Sequence, residues 1–274
     1  MLVQSALTFS SSENELLMYS KIFSGLLAAS CMLMLGCKKN EFRTNEYVTP
    51  NGKAFVKVAY FSPYFAAQQV QVYINDERVS NTITTNHTPF PGGGYNTGGN
   101  SDNGYLSVQP DSKGTANIMF ATPSTGTSII AKELFRVSVP VTTGKEQVVF
   151  ICDTAANTAA FTVDVDTERP DSGYARFNFV NCIPNSGPID FYYADSLVAS
   201  NIPYKGSKAF VNLPLKAAPV LKMCQTGTTT IIGAAYTFTN IGNQKIYSML
   251  GRGYAGIAST DGQRTPKVSL VIVK

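Results

Sequence analysis

The sequence contains no tryptophan, a single histidine at His87, and charged residues at only 15% of its 274 positions. Each shortage excludes something. An imidazole-based metal cluster needs more than one histidine, and a Ser-His-Asp triad would rest on His87 alone, which reads as a solvent-exposed loop residue. The absence of Trp weakens a sugar-stacking platform. The net charge of +4 is small and the Lys and Arg residues are scattered singly, so no basic face offers itself to a nucleic acid. No CxxC spacing supports a thiolate zinc site or a thioredoxin-type pair. No Gly-Lys-Ser/Thr follows the glycine-rich stretch, so it does not read as a P-loop phosphate cradle. No Asp or Glu sits in a recognisable glycosidase motif, and neither catalysis nor a cofactor is expected. With 44% hydrophobic residues the composition is that of a core-forming globular chain.

What is present begins with an address. Met18-Tyr19-Ser20-Lys21 supplies a start and a charge, Ile22 to Leu35 an apolar core, and Gly36 a small residue, which together read as an export signal. Residues 1–17 do not fit this plan, since Ser10 to Glu15 is polar and acidic, and they read as a gene-start artefact. Met34-Leu35-Gly36-Cys37 is similar to the lipobox of bacterial lipoproteins, with Met in place of the usual Leu. The resemblance implies a signal peptide over 18–36, lipidation (palmitate among the acyl chains) at Cys37, and a polar tether over 37–52. Cys31 is a rival that is followed by too apolar a stretch. Acyl chains contribute about 0.8 kcal/mol per buried methylene, so two or more hold a protein stably to a membrane. The expected partner is therefore a membrane, reached through the N-terminal lipid, in the cell envelope and at the outer membrane.

Beyond the tether the pattern is all strand. Val56, Val58 and Tyr60 alternate with Lys57 and Ala59, and Val70, Val72 and Ile74 alternate with their polar neighbours, which predicts half-buried strands in antiparallel sheets. An internal repeat is visible. Ala54 to Pro63 aligns with Ala175 to Pro184 at an offset of roughly 121, and Val70 to Asp76 aligns with Ile189 to Asp195. Thr127 to Ile130 aligns with Thr229 to Ile232, and Gly144 to Val148 with Gly242 to Ile246. The expected fold class is all-β, with two tandem immunoglobulin-like antiparallel β-sandwich domains over 53–168 and 174–274, after a lipoprotein signal peptide.

The first copy carries an insertion near 84–104, centred on Pro89 to Asn100. Its glycine, Pro and Asn density predicts an exposed loop, in which Phe90, Tyr95 and Tyr105 are candidate contact residues. The joint between the copies brings Asp164, Asp166, Glu168 and Asp171 near one another in sequence. That is a weak calcium candidate beside the plainer reading of a solvated strand face. Cys152, Cys182 and Cys224 remain after the leader. Their number is odd, and they are either small buried strand residues or include a Cys182–Cys224 pair.

Ala175-Arg176-Phe177-Asn178-Phe179-Val180-Asn181 with Pro184, the Asp190-Phe191-Tyr192 strand, Tyr204-Lys205-Gly206-Ser207, and Gly242 to Tyr247 before Leu250-Gly251 carry a family resemblance. The stretch from Tyr174 to Gly256 resembles the bacterial domain of unknown function numbered 4397, and Lys53 to Asp153 resembles it faintly. The departures are Phe177 and Phe179 for the usual aliphatics, and the glycine-rich insertion. The resemblance implies immunoglobulin-like sandwiches in exported, often lipid-anchored proteins of Bacteroidetes type, with no enzymatic activity or site residues to carry over. The expected function is a non-catalytic binding or adhesion module with a protein or glycan partner. The alternatives are an assembly component of the envelope or a glycan-capture lipoprotein.

Overall fold

The computed structural model describes residues 52–63, 69–84, 87–99, 104–124, 132–154 and 157–274. Cys37, the leader and nearly all of the tether lie outside the described residues, as does the Thr127–Ile130 block. Residues Thr49–Lys274 form one compact unit, and its described part is all β.

The first half of this unit supplies β1 (Ala54–Tyr60), β2 (Gln71–Ile74), β3 (Glu77–Arg78), β4 (Thr88–Phe90), β5 (Gly94–Tyr95), β6 (Leu106–Val108), β7 (Thr115–Ala121), β8 (Glu133–Pro140), β9 (Glu146–Cys152) and β10 (Ala159–Asp164). The second half supplies β11 (Tyr174–Asn181), β12 (Ile189–Tyr193), β13 (Ser196–Ile202), β14 (Ser207–Pro214), β15 (Val220–Gln225), β16 (Tyr236–Thr237), β17 (Ile246–Arg252) and β18 (Lys267–Ile272). Four sheets result. Two are outer, ordered β3-β2-β7-β8 and β13-β12-β15-β16, and two are inner, ordered β10-β9-β1-β4 (with β6 also on β1) and β14-β11-β17-β18-β5.

The strand orders of the two halves correspond, so the sequence repeat has a structural counterpart. The turn Asn75-Asp76 between β2 and β3 matches Ala194-Asp195 between β12 and β13, and all four residues have positive φ, as a two-residue hairpin turn of this hand demands. The last aligned block is displaced by two residues. Gly144 N donates to Lys53 O and Gln244 N to Tyr174 O, each at 2.8 Å, so Gly144 corresponds to Gln244 and not to Gly242. Both residues are left-handed, with φ of 78° and 58°. A conformation that glycine adopts freely is held by Gln244 in the second copy, and matching glycine to glycine therefore misplaces the register.

Pairing is mostly antiparallel, but each inner sheet has a parallel pair at its centre, β1 with β9 and β11 with β17. The partners are joined through strands of the outer sheet, a long connection of the kind parallel neighbours require. A second departure concerns burial. Lys57 and Ala59 do not face water: both are fully buried, and β17 is buried at every position. The inner sheets are covered on both faces by three cores. One lies between the first outer and first inner sheets and includes Val56, Tyr60, Ile118 and Phe120. Another lies between the second pair and includes Phe177, Phe179, Phe191 and Met249. The third, between the two inner sheets, gathers Phe61, Phe150, Val180, Ile246, Leu250 and Val271 from both halves. A fully buried side chain of this size contributes roughly 1.5–3 kcal/mol, so the third core binds the halves into one body.

Candidate functional site

The glycine-rich insertion is not the exposed loop that its composition predicts. Two of its segments are strands, and one of them leaves its own half. Phe90 ends β4 opposite Val58 and packs half-buried against the first core. Gly94 and Tyr95 form β5, which pairs with Val271 and Leu270 at the free edge of β18 in the second half. Glycine is required there, because a Cβ on Gly94 would lie 1.7 Å from Leu270 O. The Tyr95 ring packs on Phe238 and Tyr247 at centroid distances of 5.9 and 6.1 Å, and its hydroxyl donates to Asn240 O. Tyr105 donates to Val273 O at 2.8 Å and lies beneath Lys57 Nζ, 5.2 Å from its ring centre. Burial, then the Glu146 carboxylate, pushes its hydroxyl well above the usual tyrosine range. Tyr95 and Tyr105 thus serve the seam between the halves, while Phe90 serves the core of the first half. The aromatic content signalled them, but the composition of the surrounding loop misdirected the reading.

His87 is also half-buried rather than exposed. Burial, with the charges of Arg252 and Lys267, lowers its imidazole to about 3.

The four carboxylates of the calcium candidate are not gathered into one cluster. Asp164 is paired with Lys145 and accepts Gln147 Nε2 at 2.6 Å. Asp166 is paired with Arg176, which also meets Glu168 at 3.2 Å. Hydrogen bonds from Lys145 and Arg176 hold the carboxyls of Asp164 and Asp166 below the usual range. Asp171 uses its carbonyl to receive Tyr174 N at 3.1 Å. Among the described residues no group of three or more His, Cys, Asp or Glu side chains is placed to hold a metal ion. Asp164, Asp166 and Glu168 are already paired with neighbouring cations, which sequence spacing does not reveal.

The three cysteines are free and buried. Cys182 does not face Cys224: it belongs to the middle core, where its thiol meets that of Cys152. Cys152 also lies 3.4 Å from the Tyr204 hydroxyl, which reaches Asp153 at 3.2 Å. Donation from Cys182, offset by burial, holds the Cys152 thiol down, and burial pushes the Cys182 thiol up.

Two adjoining clefts open where the halves meet. One, of about 470 Å³, is lined by Lys145, Glu146, Asp164, Asp166, Thr167 and Lys274 among others. The next, of about 300 Å³, is lined by Thr167, Arg169, Gln244, Lys245 and Lys274 among others. Lys274 Nζ reaches Glu146 Oε1 at 3.2 Å, while Glu146 Oε2 is buried with no hydrogen-bond partner. The walls present both signs of charge, which suits hydrogen-bonded contact with a polar partner. Glu146, Arg169 and Lys274 come from three distant segments, and nothing in their local sequence announces that they converge.

No protein-family model matches the chain, and the search of curated proteins finds no match. Among solved structures, similarity is found to a protein of Bacteroides uniformis provisionally described as a cell adhesion protein. Identity is 8%, with 81% of this chain and 98% of that one covered, at a TM-score of 0.18. A likeness at that level carries no argument about partner or activity.

Proposed function

We propose that the protein is a non-catalytic cell-envelope lipoprotein: a rigid binding or adhesion module held to the outer membrane through lipid on Cys37. The observation that carries this reading is the construction of the seam. A hydrophobic core shared by the halves and a strand lent from the first to the second resist hinge motion between them. Such a body transmits position and force from a tether to a distal surface, whereas enzymes that close on a substrate need parts that move. The partner is a protein or a glycan. Protease shaving of intact cells tests the placement, with Cys37→Ser as the anchoring control. Loss of the anchored protein to external protease, release of the variant, and retention of a protein or glycan by the purified chain are the expected results. Turnover abolished by a single carboxylate substitution would overturn the non-catalytic assignment.

A second reading is favoured by one edge. β14 spans eight residues, pairs only with β11, and is mostly exposed or half-buried. An open edge of this length can accept a strand from another chain, which suits an assembly component. Protection from external protease until the outer membrane is opened would favour that role.

A further inference from the structure

At the end of the middle layer two cations stand side by side with no carboxylate paired to them among the described residues. Arg252 closes β17 and Lys267 opens β18, and they are direct cross-strand partners, so their side chains share one face of the sheet. Arg252 is only 2% exposed. Its Nε donates to Ser269 Oγ at 2.8 Å and its Nη2 to Asn96 O at 2.9 Å. Both acceptors are neutral, and Nη1 has no partner among the described residues. Lys267 Nζ donates to Gly262 O at 2.9 Å. The hydroxyl of Thr97, next to Asn96, is buried with no hydrogen-bond partner.

Arg78 and Arg169 also meet neutral acceptors, Ser124 Oγ and Gln244 Oε1, but six other cations are paired with anions. Arg136, Arg176, Arg264, Lys145, Lys222 and Lys274 each meet a carboxylate within 3.2 Å. Among the described residues no carboxylate does so for Arg252 or Lys267. A buried guanidinium without a counter-charge is among the costliest groups a fold can hold, and a like charge directly across the strand pair adds to the cost. Burial alone lowers Arg252, while burial and Arg252 lower Lys267. An anion at this corner would relieve both.

We infer that this corner is an oxyanion-binding site, in which Arg252 and Lys267 hold a sulfate, phosphate or carboxylate group beside the unpaired hydroxyl of Thr97. A guanidinium presents parallel N–H donors that match two oxygens of such a group, and the ammonium supplies a second point of charge. The glycine-rich segment that follows β5 closes over the site through Asn96. An oxyanion bound there would fasten that segment, and β5 with it, to the second half.

His87 supplies a built-in probe, since it is the only histidine in the chain and feels the charges of both cations. Its imidazole C2–H resonance is followed by NMR in the full-length protein at neutral pH. Sodium sulfate, phosphate or acetate is added against sodium chloride at matched ionic strength. The expected result is a saturable shift with at least one oxyanion and none with chloride, and the tightest of the three identifies the geometry preferred. Lys267→Gln, at a half-buried strand end, should fold and weaken the response by about tenfold or more, as loss of a charge-assisted contact does. Arg252→Gln should abolish it, with thermal melting confirming that the variant is folded. An equal response to chloride, no response to any oxyanion, or a response unchanged by Lys267→Gln would overturn the site.

Discussion

The inner and outer sheets are built from the same kinds of residues and obey different rules. β8, on the outer side, alternates between buried and open positions in the manner of a strand with one wet face. β17 and β18, in the inner sheet, are buried almost throughout, although their sequences include Ser248, Arg252 and Ser269. Several polar residues inside the doubly covered sheets find partners there. Lys57 reaches Ile272 O at 2.8 Å, and Arg252 and Ser269 share Asn96 O. Asn178 is fully buried, and neither its amide nitrogen nor its oxygen has a hydrogen-bond partner. The difference teaches that in this chain a polar residue between apolar neighbours marks the middle layer as often as it marks the surface.

The contrast is broken most severely at its centre. Phe150 is fully buried between Phe61 and Phe161, with ring centres 6.5 and 5.4 Å away. Phe150→Ala should cost about 3–5 kcal/mol in chemical denaturation. Because the core is shared, probes in both halves should shift together; a loss confined to one half would mean that the halves unfold independently.

The acid limb comes next. Burial and two neighbouring cations depress His87 from 6.5 to about 3 in the folded chain. The unfolded state therefore binds a proton that the folded state refuses between these values. Stability is fully present above the unfolded value and is lost as pH falls from about 6.5 toward about 3. His87→Gln should flatten that part of the stability profile, measured by denaturation at a series of pH values. An unchanged slope would show that the imidazole is not shielded.

Gly94→Val tests the lent strand. Any Cβ at that position meets the backbone of Leu270, so β5 must lift, at about 1–3 kcal/mol. Hydrogen exchange reads this directly. The amide of Ile272 donates to Gly93 O at 3.0 Å and should lose protection, while the Phe179 amide, in the middle of β11, keeps its own. Asn178→Leu has the opposite sign. It removes a buried amide without partners and should raise stability by about 1 kcal/mol; a large loss would mean that the amide is satisfied in solution.

Much of the fold was legible, because period two survives wherever one face is wet and because the β2–β3 and β12–β13 turns repeat their backbone demands in sequence. The inward set Phe177, Phe179, Ile189, Phe191 and Tyr193 lies in the second core as its spacing requires. Four features were not legible. Lys57 and Ala59 looked like a solvent face, since alternation cannot distinguish water from a second core. Gly94-Tyr95 looked like loop, since a two-residue strand is defined by the edge it meets and not by its own propensity. The reading of Cys152, Cys182 and Cys224 as small buried residues holds, but the meeting of Cys182 with Cys152 was not legible, because the fold brings Cys152 across from the other half. The clefts beside Lys274 depend on the chain end returning to the joint, and no local pattern encodes that return.

The smallest effect is expected on the outermost face. Leu197 is 52% exposed on β13, opposite Tyr192, whose ring lies 5.4 Å from Lys222 Nζ. Lys222 is in turn paired with the exposed Asp195 at 2.7 Å. This face has the composition of a solvated strand surface, and an exposed ion pair is screened by water. Leu197→Ala should therefore change stability by less than about 0.5 kcal/mol, roughly a tenth of the Phe150→Ala effect, and leave the melting transition equally cooperative. If its cost instead approached that of Phe150→Ala, the outer face would be covered in solution. The distinction between doubly and singly covered sheets would then have to be redrawn around a partner seated on β12, β13 and β15.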